Sequence, residues 1–293
     1  MSKKYQISLK SEIIQIIIIL ISILLPIIPF IFLYRTSKII RPITSFIAGC
    51  LIYFHFGIIF RKLLDIHLFY FYQILKKNNW INSLYCGIIS GLFEEFGRFF
   101  AFHFTFKKEK KKENVQSLIY GFGHGGFEIW FLLSFNYIKS FIKSYKINHG
   151  YYDSEIKNWD QELIKSFEKE IQFLNNLGIL YSIGLIYKSS LKMIFQIENS
   201  IIIWFGVVKN NLLFMGCIAF VFHFLLVFNL TIIELKITNS DLNKYIIFLF
   251  DYCPLTIITI SNIFLVIYFW KFYNKEIYID DTNLIKFDEK EEE

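Results

Sequence analysis

Gly91-Leu92-Phe93-Glu94-Glu95-Phe96-Gly97-Arg98 and Gly121-Phe122-Gly123-His124-Gly125-Gly126-Phe127-Glu128 are two short polar clusters set inside long apolar runs. An ionisable side chain at bilayer depth costs at least a few kcal/mol, about 2.5–3.5 on insertion scales, so such groups mark functional sites by default. Three carboxylates, an arginine and a histidine in two consecutive apolar runs are too many to read as chance. They place the chemistry there.

The rest of the chain agrees. Of 293 residues, 55% are hydrophobic and 20% aromatic, a content above that of ordinary soluble domains. The apolar residues fall in stretches of about 20, the length that crosses a bilayer core as a helix. Ile13–Leu33 is nearly free of charge, too long for a removable signal peptide, and lacks a small-residue cleavage site. The net charge of +6 comes from Lys/Arg runs between the spans. That pattern suits anionic headgroups and argues against a nucleic-acid partner. Cys50, Cys86, Cys217 and Cys253 are far apart, form no CxxC and read as packing residues.

The expected fold is all-α: a polytopic membrane helix bundle of seven spans, or eight if one divides. The spans fall at roughly 13–34 (with Pro26 and Pro29 as kinks), 43–63, 81–106, 115–140, 177–208, 211–233 and 246–272. The stretch 177–208 is the one that could be two pieces, because Lys188, Lys192 and Glu198 interrupt it. Residues 64–79 read as an interfacial amphipathic segment. Residues 143–176, mixed in charge, read as a solvent-exposed loop with one amphipathic helix. One membrane-embedded domain then covers 1–275, and the acidic end 276–293 is a disordered tail. Lys/Arg lies on both sides, so orientation stays open. The five lysines of Lys107–Glu113 favour a cytoplasmic loop there.

Arg98 lies four residues after Glu94 and three after Glu95, so it reaches either carboxylate along one helix face. One carboxylate is neutralised and the other is left to act as a base. The bland alternative is a structural ion pair that fixes helix register. His124 and Glu128 share a face at i, i+4, and Gly121, Gly123, Gly125 and Gly126 strip side chains from the turns around them. Gly121/Gly125 and Gly87/Gly91 have the spacing that lets membrane helices approach closely, and pure packing is their bland reading. His223 on the sixth span is a third candidate. Together a carboxylate and an imidazole suit activation of water for attack on a peptide carbonyl, with the second histidine stabilising the oxyanion. Zinc held by His124, His223 and Glu94 is the neighbouring option, although HExxH is absent.

At these residues the chain resembles the YhfC-type intramembrane peptidases of bacteria. The clan of that family includes type II CAAX prenyl proteases, bacteriocin-processing enzymes and the non-catalytic Aph scaffold subunit of gamma-secretase. The resemblance implies that Glu94 activates water with His124 as its partner, that Glu95 and Arg98 orient the site, and that His223 is the oxyanion donor. It favours a metal-free glutamate mechanism, with zinc as the alternative. It implies a membrane protein or peptide as substrate and a bacterial plasma membrane as the location; the oligomeric state is left open. Two positions depart from the pattern. Val227 stands where related CAAX proteases have Asn or Asp, and Gln196 stands where the family carries a histidine. A non-catalytic scaffold is therefore the second hypothesis. An ion-coupled carrier is the third, and the chain lacks the internal repeat that would support it.

Overall fold

The computed structural model describes residues 5–36, 42–68, 73–75, 77–106, 114–238 and 252–271. Within them the regular structure is helical. Helix α1 is Leu9–Thr36 and α2 is Pro42–His67, with a π-helical stretch over Tyr53–Phe60. Helix α3 covers 79–106: it is α-helical over Asn79–Phe100 and π-helical over Ala101–Phe106. Helix α4 covers 114–148, in three joined segments. Then follow α5 (Gln161–Asn175), α6 (Ile179–Val208), α7 (Leu212–Thr238) and α8 (Tyr252–Lys271).

Local sequence accounts for several helix starts. Pro42 occupies the first position of α2, where a missing N–H costs nothing. Asn78 caps α3 by accepting from the N–H groups of Trp80 and Ile81, and Asp160 caps α5 by accepting from Leu163. α1 runs unbroken through Pro26 and Pro29. Pro26 is a packing surface: a Cβ added to Gly126 would lie 2.5 Å from its Cβ.

Among the described residues, five helices are long and apolar enough to cross a membrane: α1, α2, α6, α7 and α8. Their outer faces carry large apolar side chains, including Phe32, Leu213 and Phe264, while Glu, His, Arg and Asn side chains lie inside. That inversion suits lipid as the surrounding solvent. α6 is the central helix. Its apolar window is 83% buried, against 17–28% for the other four. Lys188, Lys192 and Glu198 do not divide it, because Gln196, Glu198, Asn199 and Ser200 all point into the protein.

Two boundaries differ from the sequence reading. Residues 64–67 continue α2 and do not begin a separate interfacial segment. Residues 143–148 continue α4, and α5 docks instead of standing free in solvent. Ser11 Oγ donates to the Leu174 carbonyl at 2.6 Å, Tyr5 donates to Glu168 at 2.9 Å, and Phe167 and Leu174 are buried. The apolar stripe of α5 covers the N-terminal segment and the start of α1, which the charge pattern alone does not reveal. The Lys107–Glu113 loop and the tail 276–293 lie outside the described residues.

The glycines mark close helix approaches, and the structure decides which helices meet there. The motif helices α3 and α4 do not pack on each other; α3 packs on α7, and α4 packs on α6 and α2. Cβ atoms added to Gly87 and Gly91 would meet Phe224 and Phe220 of α7, and added to Gly121 and Gly125 would meet Ile197 and Gln196 of α6. The closest approach is at α2. A Cβ on Gly123 would lie 2.0 Å from the Phe46 carbonyl oxygen, and one on Gly49 would lie 2.2 Å from the Tyr120 carbonyl oxygen. Each motif helix is thus brought close to a third helix, and the two clusters meet across the gap through side chains.

Candidate functional site

The side chains of the two clusters converge. Glu94, Glu95 and Arg98 leave α3 on one face, and His124 leaves α4 one turn before Glu128. His124 Nε2 lies 3.3 Å from Glu94 Oε2, and His223 Nε2, from α7, lies 3.6 Å from Glu94 Oε1. The two oxygens of one carboxylate are therefore divided between the two histidines. His124 is fully buried, with Tyr53 edge-on at 5.2 Å between ring centres. Phe195 stands edge-on to His223 at 5.7 Å.

Glu95 is the structural partner of the pair. Arg98 donates to Glu95 Oε1, His223 Nδ1 lies 2.6 Å from the same oxygen, and Asn199 Nδ2 donates to it at 3.0 Å. Arg98 Nη2 also comes within 3.9 Å of Glu94. A fully buried guanidinium between two carboxylates balances charge that low-dielectric surroundings would otherwise make prohibitive.

Gln196 joins the halves. It accepts from Arg98, and its amide donates to Glu94 Oε2 at 3.1 Å and to Glu128 Oε2 at 2.6 Å. Glu128 meets Lys192 at 3.7 Å, so its partners come from α6 and not from His124. Asn199 and Asn262 were missed by the sequence reading. Asn262 Nδ2, from α8, donates to Asn199 Oδ1 at 3.0 Å and steadies the amide that holds Glu95. Their signal was present: Gln196 and Asn199 are polar at i, i+3 in an apolar run, and Asn262 is a lone amide in another.

Glu94, Glu128, Gln196 and His223 line a cavity of about 320 Å³ together with residues of α2 and α7; His124 is not part of that wall. It is large enough for several waters and a short stretch of peptide. A helix bundle with ionisable groups inside, apolar side chains outside and a carboxylate–imidazole pair beside a cavity defines an integral membrane protein with an enzyme-like polar centre. Residues 21–246 match the family described as YhfC intramembrane metalloprotease, and the chain belongs to that family. No curated protein and no solved structure matches the chain.

The family's description bears on the metal. The donor types fit zinc, two imidazoles and a carboxylate being a common set. The spacings of 3.3 and 3.6 Å from Glu94 to the histidines are those of neighbouring ligands, about 3.3 Å apart around a tetrahedral ion. His223 also rests its other ring nitrogen on Glu95, the support that metal-bound histidines usually have. Among the described residues, however, no group of three His, Cys, Asp or Glu side chains is arranged to hold an ion. The sequence preference for a metal-free reaction gains no support, since the family is described as a metalloprotease.

Proposed function

We propose that the protein is an intramembrane endopeptidase that hydrolyses a peptide bond of a membrane-associated protein or peptide. The observation that carries this reading is the placement of Glu94 at a cavity wall, one oxygen toward His124 and the other toward His223. Glu94 takes a proton from a cavity water, and the hydroxide attacks the peptide carbonyl. His124 holds the second oxygen of Glu94 and fixes its orientation. His223, anchored on Glu95 through Nδ1, directs Nε2–H at the developing oxyanion in its charged form. Glu94 then returns the proton to the departing amine, so water and peptide yield a free acid and a free amine. Where zinc is bound, His124, His223 and Glu94 are the residues that would hold it, and it would supply Lewis-acid polarisation of the carbonyl or the water.

The same reading counts α3 and α4 as crossing the membrane with the five apolar helices, giving seven spans in one domain of the bacterial plasma membrane. α3 and α4 fall short on apolarity because they carry the site.

The test uses protein reconstituted in lipid nanodiscs with a peptide library read by mass spectrometry. Glu94→Gln and His124→Ala are expected to lower cleavage by at least about 10²-fold, the low end of a general base's contribution. Unchanged cleavage sinks the reading. A chelator arm followed by zinc re-addition decides metal dependence.

One observation favours a second reading, a non-catalytic scaffold. Gln196 ties Glu94, Glu128 and Arg98 into a closed network, which suits a structural hub. That reading expects no cleavage by the parent protein and loss of stability in the same variants.

A further inference from the structure

The cavity wall carries a cation that the proposed reaction leaves unused. Arg61, near the end of α2, lines the cavity together with Glu94 and His223 and is only partly exposed. Its Nη1 donates to Ser90 Oγ at 2.7 Å, and no carboxylate among the described residues pairs with it. Asp65, one turn further along, also lines the cavity and accepts from Tyr85 at 2.9 Å. The carboxylates on this wall are thus engaged elsewhere: Glu94 with His124, Glu128 with Gln196 and Lys192, Asp65 with Tyr85. Most of the guanidinium's N–H donors remain for a ligand. Lys62 beside it adds a second positive charge.

Ser90 fixes where that charge sits. It precedes Glu94 by four residues, so the guanidinium is anchored about 6 Å along α3 from the carboxylate. An extended peptide advances about 3.3 Å per residue, so that span is about two residues. The α7 wall on the side of Ser90 away from Glu94 is aliphatic, formed by Leu226, Val227 and Leu230.

We propose that Arg61, held by Ser90 and helped by Lys62, is an anion subsite for the peptide substrate. It takes a carboxylate, from an Asp or Glu side chain or a chain end, about two residues from the bond at Glu94, with an aliphatic residue against the α7 wall beyond it. This rests on the peptidase reading for its substrate, and the experiment separates the two.

Peptides with one Asp walked along an otherwise neutral aliphatic sequence are presented to the parent and to Arg61→Gln in nanodiscs of zwitterionic lipid. Cleavage is expected to peak when the Asp lies about two residues from the cut bond. Replacing that Asp by Asn lowers kcat/KM by about tenfold or more, carried by KM. Arg61→Gln lowers it to a similar extent, and the two losses do not add, as expected of residues in contact. Arg61→Lys recovers part of the effect. Equal losses on acidic and neutral peptides in Arg61→Gln overturn the subsite. So does an Arg61 effect that responds only to added anionic lipid, which would make a headgroup phosphate the ligand. If no peptide is cleaved, the same series is bound to Glu94→Gln protein and read by fluorescence anisotropy. An Arg61-dependent preference for Asp over Asn at one position then supports the subsite while the peptidase reading fails; no preference overturns it.

Discussion

Two buried carboxylate neighbourhoods meet the central helix within a few residues of each other, one at Gln196 and Asn199 and one at Glu198, and they are built in opposite ways. Around Glu94 and Glu95, buried to about 5% exposure, side chains from α3, α4, α6 and α7 converge, and one oxygen of Glu95 receives Arg98, His223 and Asn199. Glu198, on α6 itself and 4% exposed, accepts no hydrogen bond on either oxygen among the described residues, although the Asn262 side chain lies beside it. Burial alone therefore does not make a site in this protein. The groups that matter are those for which several helices supply complementary partners, because each missing partner leaves a desolvation cost uncovered.

The largest test of that contrast removes the arginine. Arg98→Leu leaves two buried carboxylates without their cation and is expected to lower stability by about 3–5 kcal/mol. SDS titration in mixed micelles reads the loss, and adding Glu95→Gln is expected to restore part of it. A full-strength loss that Glu95→Gln does not relieve would break the charge-balance account. Next is Asn199→Leu, which strips one donor from Glu95 and leaves the amide of Asn262 without its acceptor. About 1–3 kcal/mol should be lost, the cost of orphaned buried polar groups. Gly125→Ala sharpens the geometry: its Cβ would sit 3.0 Å from Gln196 Cβ and press the residue that joins Glu94 to Glu128. About 1–2 kcal/mol of overpacking strain is expected, whereas Gly216→Ala, whose nearest neighbour would be 4.0 Å away, should change almost nothing. The smallest effect belongs to Glu198. Glu198→Gln should leave stability unchanged or raise it by about 1 kcal/mol, since it replaces a buried acid that accepts no hydrogen bond among the described residues by a neutral group of the same shape. A loss larger than that would mean that Glu198 has a partner of its own.

Much of the architecture was legible because membrane helices announce themselves. Apolar runs of bilayer length located the five helices among the described residues that are long and apolar enough to cross, and the clusters in α3 and α4 contain Glu94, Glu95, Arg98 and His124, whose side chains come together. The boundaries of α4 and the docking of α5 were not legible, since an amphipathic stripe looks the same whether it faces a loop or a core. The continuity of α6 was not legible. Lys188, Lys192 and Glu198 looked like interruptions of a span, yet the helix is unbroken and its amides Gln196 and Asn199 are the residues that close the polar centre. A one-dimensional hydropathy pattern scores every polar residue as a cost, and only the neighbours reveal which costs are met.

The sequence by itself determined that this chain is helical, that it belongs in a membrane, and that two of its apolar runs carry clustered ionisable residues. Those are consequences of composition and of residue spacing along single helices. Tertiary structure decided which helices meet. Glycines on α3 and α4 turn those helices toward α7, α6 and α2 and not toward each other, because removing a side chain permits an approach without selecting the partner. From that choice follow the contacts of His223 with both glutamates, the bridge through Gln196 and the cavity that joins Glu94 to Arg61.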